Sequence, residues 1–122
     1  MVTNQWAGSD GDIVAAATQA MGYAKVIGER SWGGVVGIDG RFDLVDGTSV
    51  TQPRYAGWYG SYGWGVENHG VDPDIVVTVS PEDWEADRDV QLDAAIAEFL
   101  RQLDDKPAAT APELPGPAFG RC

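Results

Sequence analysis

The fold is constrained most by residues 1 to about 30, where two strand-like segments flank a helix-like one. MVTNQW is short and partly β-favouring, and AKVIGE at residues 24–29 has the composition of a buried strand. Between them, the alanine-rich DIVAAATQAM predicts a helix that ends at Gly22. Its apolar side chains lie close to one face, which comprises Ile13, Val14, Ala17 and Met21. Two strands joined through a helix favour a parallel βαβ unit, which is normally buried on both faces.

The turn between the first strand and the helix, GSDGD, contains a serine with three possible roles. Ser9, Asp10 and Asp12 can each cap the free backbone amides at the start of a helix. A strand, a sharp Gly-Ser turn and a helix would also project the serine hydroxyl from the carboxyl end of the strand. The next amides and the helix dipole would then point toward the same spot. The residues alone leave three roles open for Ser9: a helix cap, a turn residue or a nucleophile beside half of an oxyanion hole.

Residues 31 to about 80 are rich in glycine and in strand-forming residues. RFDLVDGTSVTQP predicts a hairpin, with Asp46-Gly47 as a type I′ turn between its strands. The aromatic stretch RYAGWYGSYGWG is either a covered hairpin or loop, or a surface that contacts substrate. VDPDIVVTVS then predicts a turn followed by a buried strand.

Residues 81 to 105 predict a helix that covers the core. Pro81 suits the first turn, where Glu82 and Asp83 match the positive end of the helix dipole. The apolar stripe of this helix comprises Leu92, Ile96, Phe99, Leu100 and Leu103. Residues 107–122 are rich in proline and alanine without periodicity, so they predict a disordered tail after a domain of residues 1–106.

Charge and cysteine content argue against several classes of partner and cofactor. The 122 residues include 19 Asp and Glu against 8 Lys and Arg, a formal net charge of −11. We expect neither nucleic acid nor an anionic membrane as a partner, because both bind clustered cationic surfaces. Cys122 is the single cysteine, and we expect no disulfide, metal or other cofactor. MVTNQW does not resemble a signal peptide and no apolar run is long enough to span a membrane, which favours a cytoplasmic protein.

Four sequence blocks occur in the order of a known family, from about Val2 to Lys106. They are NQWAGSDGDI, KVIGERSWGGVVGI, VDGTSVTQPRY and VENHGVDPDIVV. Together they resemble the carboxyl-terminal catalytic domain of the tricorn proteases, within the tail-specific serine protease superfamily. The resemblance implies an α/β fold, namely the carboxyl-terminal half of a ClpP/crotonase-like ββα domain. That half would contain a mixed sheet, a helix that starts at a nucleophile elbow and a carboxyl-terminal amphipathic helix.

The resemblance also implies roles for three residues. Ser9, in AGSDG, matches the family's nucleophile, and the backbone amide of Asp10 matches one donor of its oxyanion hole. Glu67, in ENHGV, matches the glutamate of a Ser-His-Ser-Glu relay, where it holds the outer serine that orients the histidine. Substrate-binding residues are left unassigned. His69 and Lys25 are weaker candidates for the general base. The family has a histidine at the position of His69 besides its relay histidine, and Lys25 comes earlier in the chain than the lysine of a Ser-Lys dyad should.

In the family, the relay histidine, the outer serine and a second oxyanion glycine come from a segment upstream of the nucleophile, which this sequence does not contain. The resemblance therefore implies the catalytic carboxyl-terminal portion of a serine endopeptidase that acts on oligopeptides, nearly inactive alone and homo-oligomeric, a hexamer by analogy. The alternative is an inactive scaffold, an assembly module or a peptide-binding module. The first strand ought to be a central parallel strand, but no preceding element in this sequence covers its other edge, and an open apolar edge favours association. We therefore expect the isolated chain to dimerise, aggregate or stay partly molten.

Overall fold

Strands and helices alternate in the first part of the chain, as the βαβ pattern predicts. The computed structural model describes residues 1–114 and residue 116. Its elements in chain order are β1 (Val2–Thr3), α1 (Asp10–Ala20), β2 (Ile27–Gly28), β3 (Gly37–Asp43), β4 (Ser49–Tyr55), β5 (Ile75–Val76), α2 (Pro81–Glu85) and α3 (Val90–Asp105). The expected mixed α/β class is confirmed.

The strand β2 lies at the centre of a three-stranded parallel sheet in the order β1-β2-β5. Val2 pairs with Ile27, and Ile27 pairs in turn with Ile75. The predicted βαβ unit is therefore confirmed. Within the described residues β1 lies at the sheet edge, and its outer side is the open edge expected for the first strand. The buried pair Val26 and Ile27 favours the central place for β2, whereas Val2 is 42% exposed.

The predicted hairpin is present as β3 and β4, which form a separate antiparallel sheet. The parallel and antiparallel pairs thus belong to two sheets in the described residues, and the expectation of one mixed sheet is wrong. The type I′ turn is also wrong, since it requires a positive φ at both Asp46 and Gly47, and only Gly47 has one. The Asp46 side chain instead accepts a hydrogen bond from the Thr48 amide at 2.9 Å. Leu44 and Thr48 close a three-residue loop.

The helix α1 buries only part of the face that its apolar residues predict: Ile13 packs against the core, but the buried residues are Asp12, Ala15 and Ala16. Ala15 and Ala16 join the core of Val26, Val35, Val66 and Val71. Val14 and Met21 are 52% and 61% exposed. The buried carboxylate of Asp12 is hydrogen-bonded to a loop on the interior side, and this contact fixes the rotation of the helix. The predicted end at Gly22 is confirmed by the amide bonds from Gly22 to Gln19 and from Tyr23 to Thr18.

The single helix predicted over residues 81–105 is two helices, because the chain turns between Glu85 and Val90. Asp87 has a φ of 52°, which no α-helix accommodates. Asp89 then caps α3 by accepting the Leu92 amide at 2.9 Å. At the start of α2, hydrogen bonds from the Ser80 hydroxyl and then from Arg88 lower the pKa of Asp83 to about 2.

The apolar stripe of α3 lies largely outside the core of the described residues, so its predicted core-covering role is wrong there. The exposed fractions run from 48% to 61% for Leu92, Ile96, Phe99 and Leu100. The helix contacts β1 and β2 near its amino end, where Gln91 is buried and donates to the Val77 carbonyl at 2.9 Å. Two-residue strands offer too little surface to cover the later turns of the helix.

The predicted tail has no regular secondary structure at residues 107–114 and 116. The rest of it, residues 115 and 117–122 with Cys122, lies outside the described residues, so the disordered tail and the boundary at residue 106 stay predictions. Within the described ranges, none of the helices is long and apolar enough to cross a membrane.

Candidate active site

Ser9 lies in the turn between β1 and α1 with an unusual backbone conformation. Its φ is 53° and its ψ is −112°, a region that residues with a β-carbon rarely adopt. Such a conformation costs about 1–3 kcal/mol and persists only where the surrounding structure enforces it. Ser9 is exposed and occupies the N-cap position of α1, but its side chain makes no capping hydrogen bond. Its hydroxyl is therefore free for another role.

The first turn of α1 presents an unused backbone donor beside Ser9. The amides of Gly11 and Ile13 donate to the carbonyls of Gly8 and Ser9, at 2.9 and 3.0 Å. Within residues 1–114, the Asp10 amide has no acceptor. This N–H belongs to the residue that follows Ser9 and lies at the positive end of the helix dipole. It can donate to an oxyanion that forms on the serine side of the turn.

Glu67 is anchored to backbone amides, unlike a solvated loop carboxylate. Its Oε2 accepts hydrogen bonds from the amides of Val35 and Val36, both at 2.7 Å. Its Oε1 has no hydrogen-bond partner among the residues that the structure describes. Glu67 also lines a cavity of about 250 Å³, together with Val35, Val36, Ala56, Gly57, Trp64 and Asn68. The carboxylate thus has one oxygen fixed and one oxygen available.

One short segment, residues 33–36, connects Ser9 to Glu67. The Gly34 carbonyl accepts the Ser9 amide at 3.1 Å, and the next two amides donate to Glu67. The Gly33 carbonyl accepts the amide of Asn68 at 2.7 Å. Gly33 has a φ of 88°, and a β-carbon there would lie 2.4 Å from the Gly70 nitrogen, so only glycine fits. The nucleophile and relay candidates are therefore held by adjacent residues of one segment.

Asp12 plays a part that the sequence did not predict. Instead of capping α1, its fully buried carboxylate accepts hydrogen bonds from the Ser31 hydroxyl at 2.5 Å, the Gly33 amide at 2.8 Å and the Gly34 amide at 3.1 Å. Asp12 lies three and four residues before Ala15 and Ala16, so it shares the small-residue face of the helix. That shared face is the sequence feature from which its burial could have been predicted.

Neither of the two weaker base candidates contacts Ser9. The Nε2 atom of His69 lies 2.8 Å from an Asp72 carboxylate oxygen, and both side chains are exposed. Lys25 lies 3.7 Å from Asp74 at the amino end of β2, whereas Ser9 follows the carboxyl end of the parallel strand β1. Among the described residues, no group of three or more His, Cys, Asp and Glu side chains could hold a metal ion.

The aromatic stretch divides between the core and the surface. Tyr59 and Tyr62 pack against the core, where burial raises the pKa of Tyr62, whose hydroxyl donates to Gln19. Trp58 and Trp64 are more than 60% exposed, and Trp64 lines the cavity beside Glu67. The packed tyrosines therefore support a covered loop, and the exposed tryptophans support a contact surface.

Comparison with known proteins gives consistent similarities. The family model described as Peptidase family S41 matches residues 1–77. The chain is 60% identical over 114 residues to Tricorn protease homolog 1 of Streptomyces coelicolor, covering 93% of this chain and 11% of that protein. It is 47% identical over 102 residues to Tricorn protease of Thermoplasma acidophilum, covering 84% and 10%. The crystal structure of the tricorn protease matches with a TM-score of 0.81 at 47% identity, covering 84% of this chain and 10% of that one. The chain thus spans about a tenth of the length of these relatives.

Proposed function

This chain belongs to peptidase family S41, and from that premise we propose that it supplies the nucleophile-bearing part of a serine endopeptidase of the tail-specific protease superfamily. The observation that carries the proposal is the backbone of Ser9, a non-glycine residue with φ 53° and ψ −112° and an exposed, uncapped side chain. Strain of this kind concentrates at functional sites. On this proposal the turn is a nucleophile elbow, in a ClpP/crotonase-like ββα domain.

The mechanism follows from the groups around that turn. The Ser9 Oγ attacks the carbonyl carbon of a scissile peptide bond while a base takes its proton, and the tetrahedral oxyanion accepts a hydrogen bond from the Asp10 amide. The intermediate collapses to an acyl-enzyme as the protonated base donates to the leaving amine. Water then releases the acyl group by the same steps in reverse. The substrates are oligopeptides.

A general base has to come from beyond the described contacts of Ser9. We propose a histidine contributed from outside this chain's residues, because His69 is paired with Asp72. Glu67 is suited to the relay role, since Oε2 is anchored by two amides and Oε1 is available to accept the hydroxyl of an outer serine. The part of the site that this chain provides is thus the nucleophile, one oxyanion donor and the relay carboxylate. We further propose that the protein works in the cytoplasm.

A fluorophosphonate probe tests this function. It forms a covalent adduct only with a serine that is activated as a nucleophile. We expect labelling of the chain when it is mixed with a segment of a family member that carries the relay histidine, much slower labelling of the chain alone, and no labelling of Ser9→Ala under either condition. Intact-protein mass spectrometry measures the adduct. Labelling that persists in Ser9→Ala would assign the nucleophile elsewhere.

A second candidate function is a catalytically inactive scaffold, assembly module or peptide-binding module. The observation that favours it is the lack of any base in contact with the Ser9 hydroxyl among residues 1–114. The two functions differ in one result. An inactive module leaves Ser9 unlabelled under both conditions, while still binding an oligopeptide or a partner chain in calorimetry.

We also propose that the chain forms homo-oligomers, with a hexamer as the expected complete assembly. The support is the exposed apolar side of α3, where Ile96, Phe99 and Leu100 are about half exposed or more. Each of these side chains has about half of its surface left to bury, so covering it in an interface stabilises association by roughly 1 kcal/mol. In sedimentation velocity we expect concentration-dependent association, weakened at least tenfold by Phe99→Glu but not by the exposed control Asp104→Ala. A monodisperse monomer that melts cooperatively would contradict the expectation.

A further inference from the structure

Asp12 is a buried acid that the proposed mechanism does not use. It lies one helical turn after Ser9 in α1, and its exposed fraction is 0%. A buried carboxylate without partners is strongly unfavourable, so its surroundings must supply donors. Three donors do so: the Ser31 hydroxyl and the amides of Gly33 and Gly34. All three belong to the segment that follows β2 and leads into β3.

The three residues that donate to Asp12 also accept hydrogen bonds from the segments that carry the candidate site. The Gly34 carbonyl accepts the amide of Ser9, and the Gly33 carbonyl accepts the amide of Asn68, the neighbour of Glu67. The Ser31 oxygen also accepts the Val71 amide at 2.8 Å, in the segment that follows Glu67. One carboxylate thus fixes the loop that holds the Ser9 backbone on one side and the Glu67 loop on the other.

We propose that Asp12 is a positioning residue for acyl transfer at Ser9, an inference that rests on the proposed function. It holds the Gly34 carbonyl where that carbonyl accepts the Ser9 amide, and this bond helps to keep Ser9 at its positive φ. Because the Ser9 backbone is strained, it relaxes when a restraint is removed. A relaxed turn moves the hydroxyl and the Asp10 amide out of register, and a displacement of about 1 Å costs on the order of 100-fold in rate.

The chemistry requires a carboxylate at position 12 rather than its amide isostere. All three partners are donors, and a carboxylate accepts at both oxygens. In Asp12→Asn, one side of the side chain becomes an NH₂ group. The oxygen satisfies Ser31 and Gly33, while the NH₂ faces the Gly34 amide, so two donors oppose each other. The site is buried, and water cannot replace the lost acceptor.

The test compares Asp12→Asn with the matched control Asp93→Asn, an exposed acid in the first turn of α3. Labelling rates measured against fluorophosphonate concentration, in the presence of the segment that carries the relay histidine, separate the maximal acylation rate from the half-saturating concentration. We expect Asp12→Asn to lower the maximal rate by about 10- to 100-fold with an unchanged half-saturating concentration. Amide hydrogen exchange should accelerate at least tenfold at Ser9 and Gly34, but not in α3. Asp93→Asn should leave both measurements unchanged.

The positioning role would be overturned if Asp12→Asn were labelled at the wild-type rate. It would also be overturned if amide hydrogen exchange in this variant accelerated evenly over the whole chain. If wild-type protein is not labelled at all, the proposed function fails, while the exchange of the Ser9 and Gly34 amides still decides whether Asp12 holds the turn. Should Asp12→Asn not fold, Asp12→Glu decides instead. It keeps a carboxylate but moves both acceptor oxygens by one methylene, so the maximal labelling rate should fall at least tenfold and the Gly34 amide should exchange faster; a wild-type rate in Asp12→Glu would overturn the proposal.

Discussion

Ser9→Gly is expected to be more stable than Ser9→Ala by about 1 kcal/mol, while both variants lose acyl transfer entirely. Alanine keeps the β-carbon that makes φ 53° and ψ −112° unfavourable, a cost of about 1–3 kcal/mol. Glycine adopts this conformation without that cost, and loses roughly 0.4–1 kcal/mol of the gain to the entropy of its unfolded chain. The free energies of unfolding in urea measure the difference. A more stable glycine variant would show that the side chain at position 9 is kept at a cost to the stability of the fold.

The control for this pair is the opposite exchange at an ordinary helical position. Ala97 is exposed in the middle of α3, so Ala97→Gly should lose about 1 kcal/mol. Glycine should therefore be the more stable residue at position 9, and alanine the more stable residue at position 97. Equal stability of Ser9→Gly and Ser9→Ala, or a more stable alanine variant, would mean that the turn is not strained.

Glu67→Ala is expected to cost about 2–4 kcal/mol of stability, since it leaves two backbone amides without an acceptor. Those amides belong to Val35 and Val36, and Val35 is part of the buried core. Glu67→Gln retains one oxygen for both amides, so it should cost less than about 1 kcal/mol. It removes the charge, however, and acyl transfer should fall with little loss of stability. The two variants thus separate the structural role of this side chain from its proposed relay role.

Chemical denaturation and labelling rates, measured on the same samples, check the Glu67 pair. Glu85→Ala, at the exposed end of α2, is the matched control and should lie within about 0.5 kcal/mol of the parent. A glutamine variant as unstable as the alanine variant would show that Oε2 is not simply an acceptor for the two amides. Full labelling of Glu67→Gln in the presence of the relay histidine would remove Glu67 from the relay.

Local sequence patterns predicted the elements whose cause is itself local. The βαβ order, the helix end at Gly22 and the hairpin between β3 and β4 all follow from residues next to each other in the chain. The break at Asp87 was also readable, because Asp89 is a capping residue three positions before Leu92. The apolar stripe begins at Leu92, so it carries no information about the break that precedes it.

Features that depend on distant partners could not be predicted in this way. The donors to Asp12 lie 19 to 22 residues along the chain, and those to Glu67 lie 31 and 32 residues back. Periodicity places a residue on a face but does not say what covers that face. For this reason Val14 and the α3 stripe were expected in the core and are exposed. The order of the sequence blocks predicted the family correctly, whereas the roles of Ser9, Asp10 and Glu67 remain predictions.

The central claim is that the Ser9 hydroxyl is a nucleophile placed beside the free amide of Asp10. A crystal structure of the protein after reaction with a fluorophosphonate tests it most directly. We predict a covalent bond from Ser9 Oγ to phosphorus, with the phosphonyl oxygen about 2.7–3.1 Å from the Asp10 nitrogen. An adduct on another residue, or one on Ser9 whose phosphonyl oxygen points away from that amide, would contradict the account.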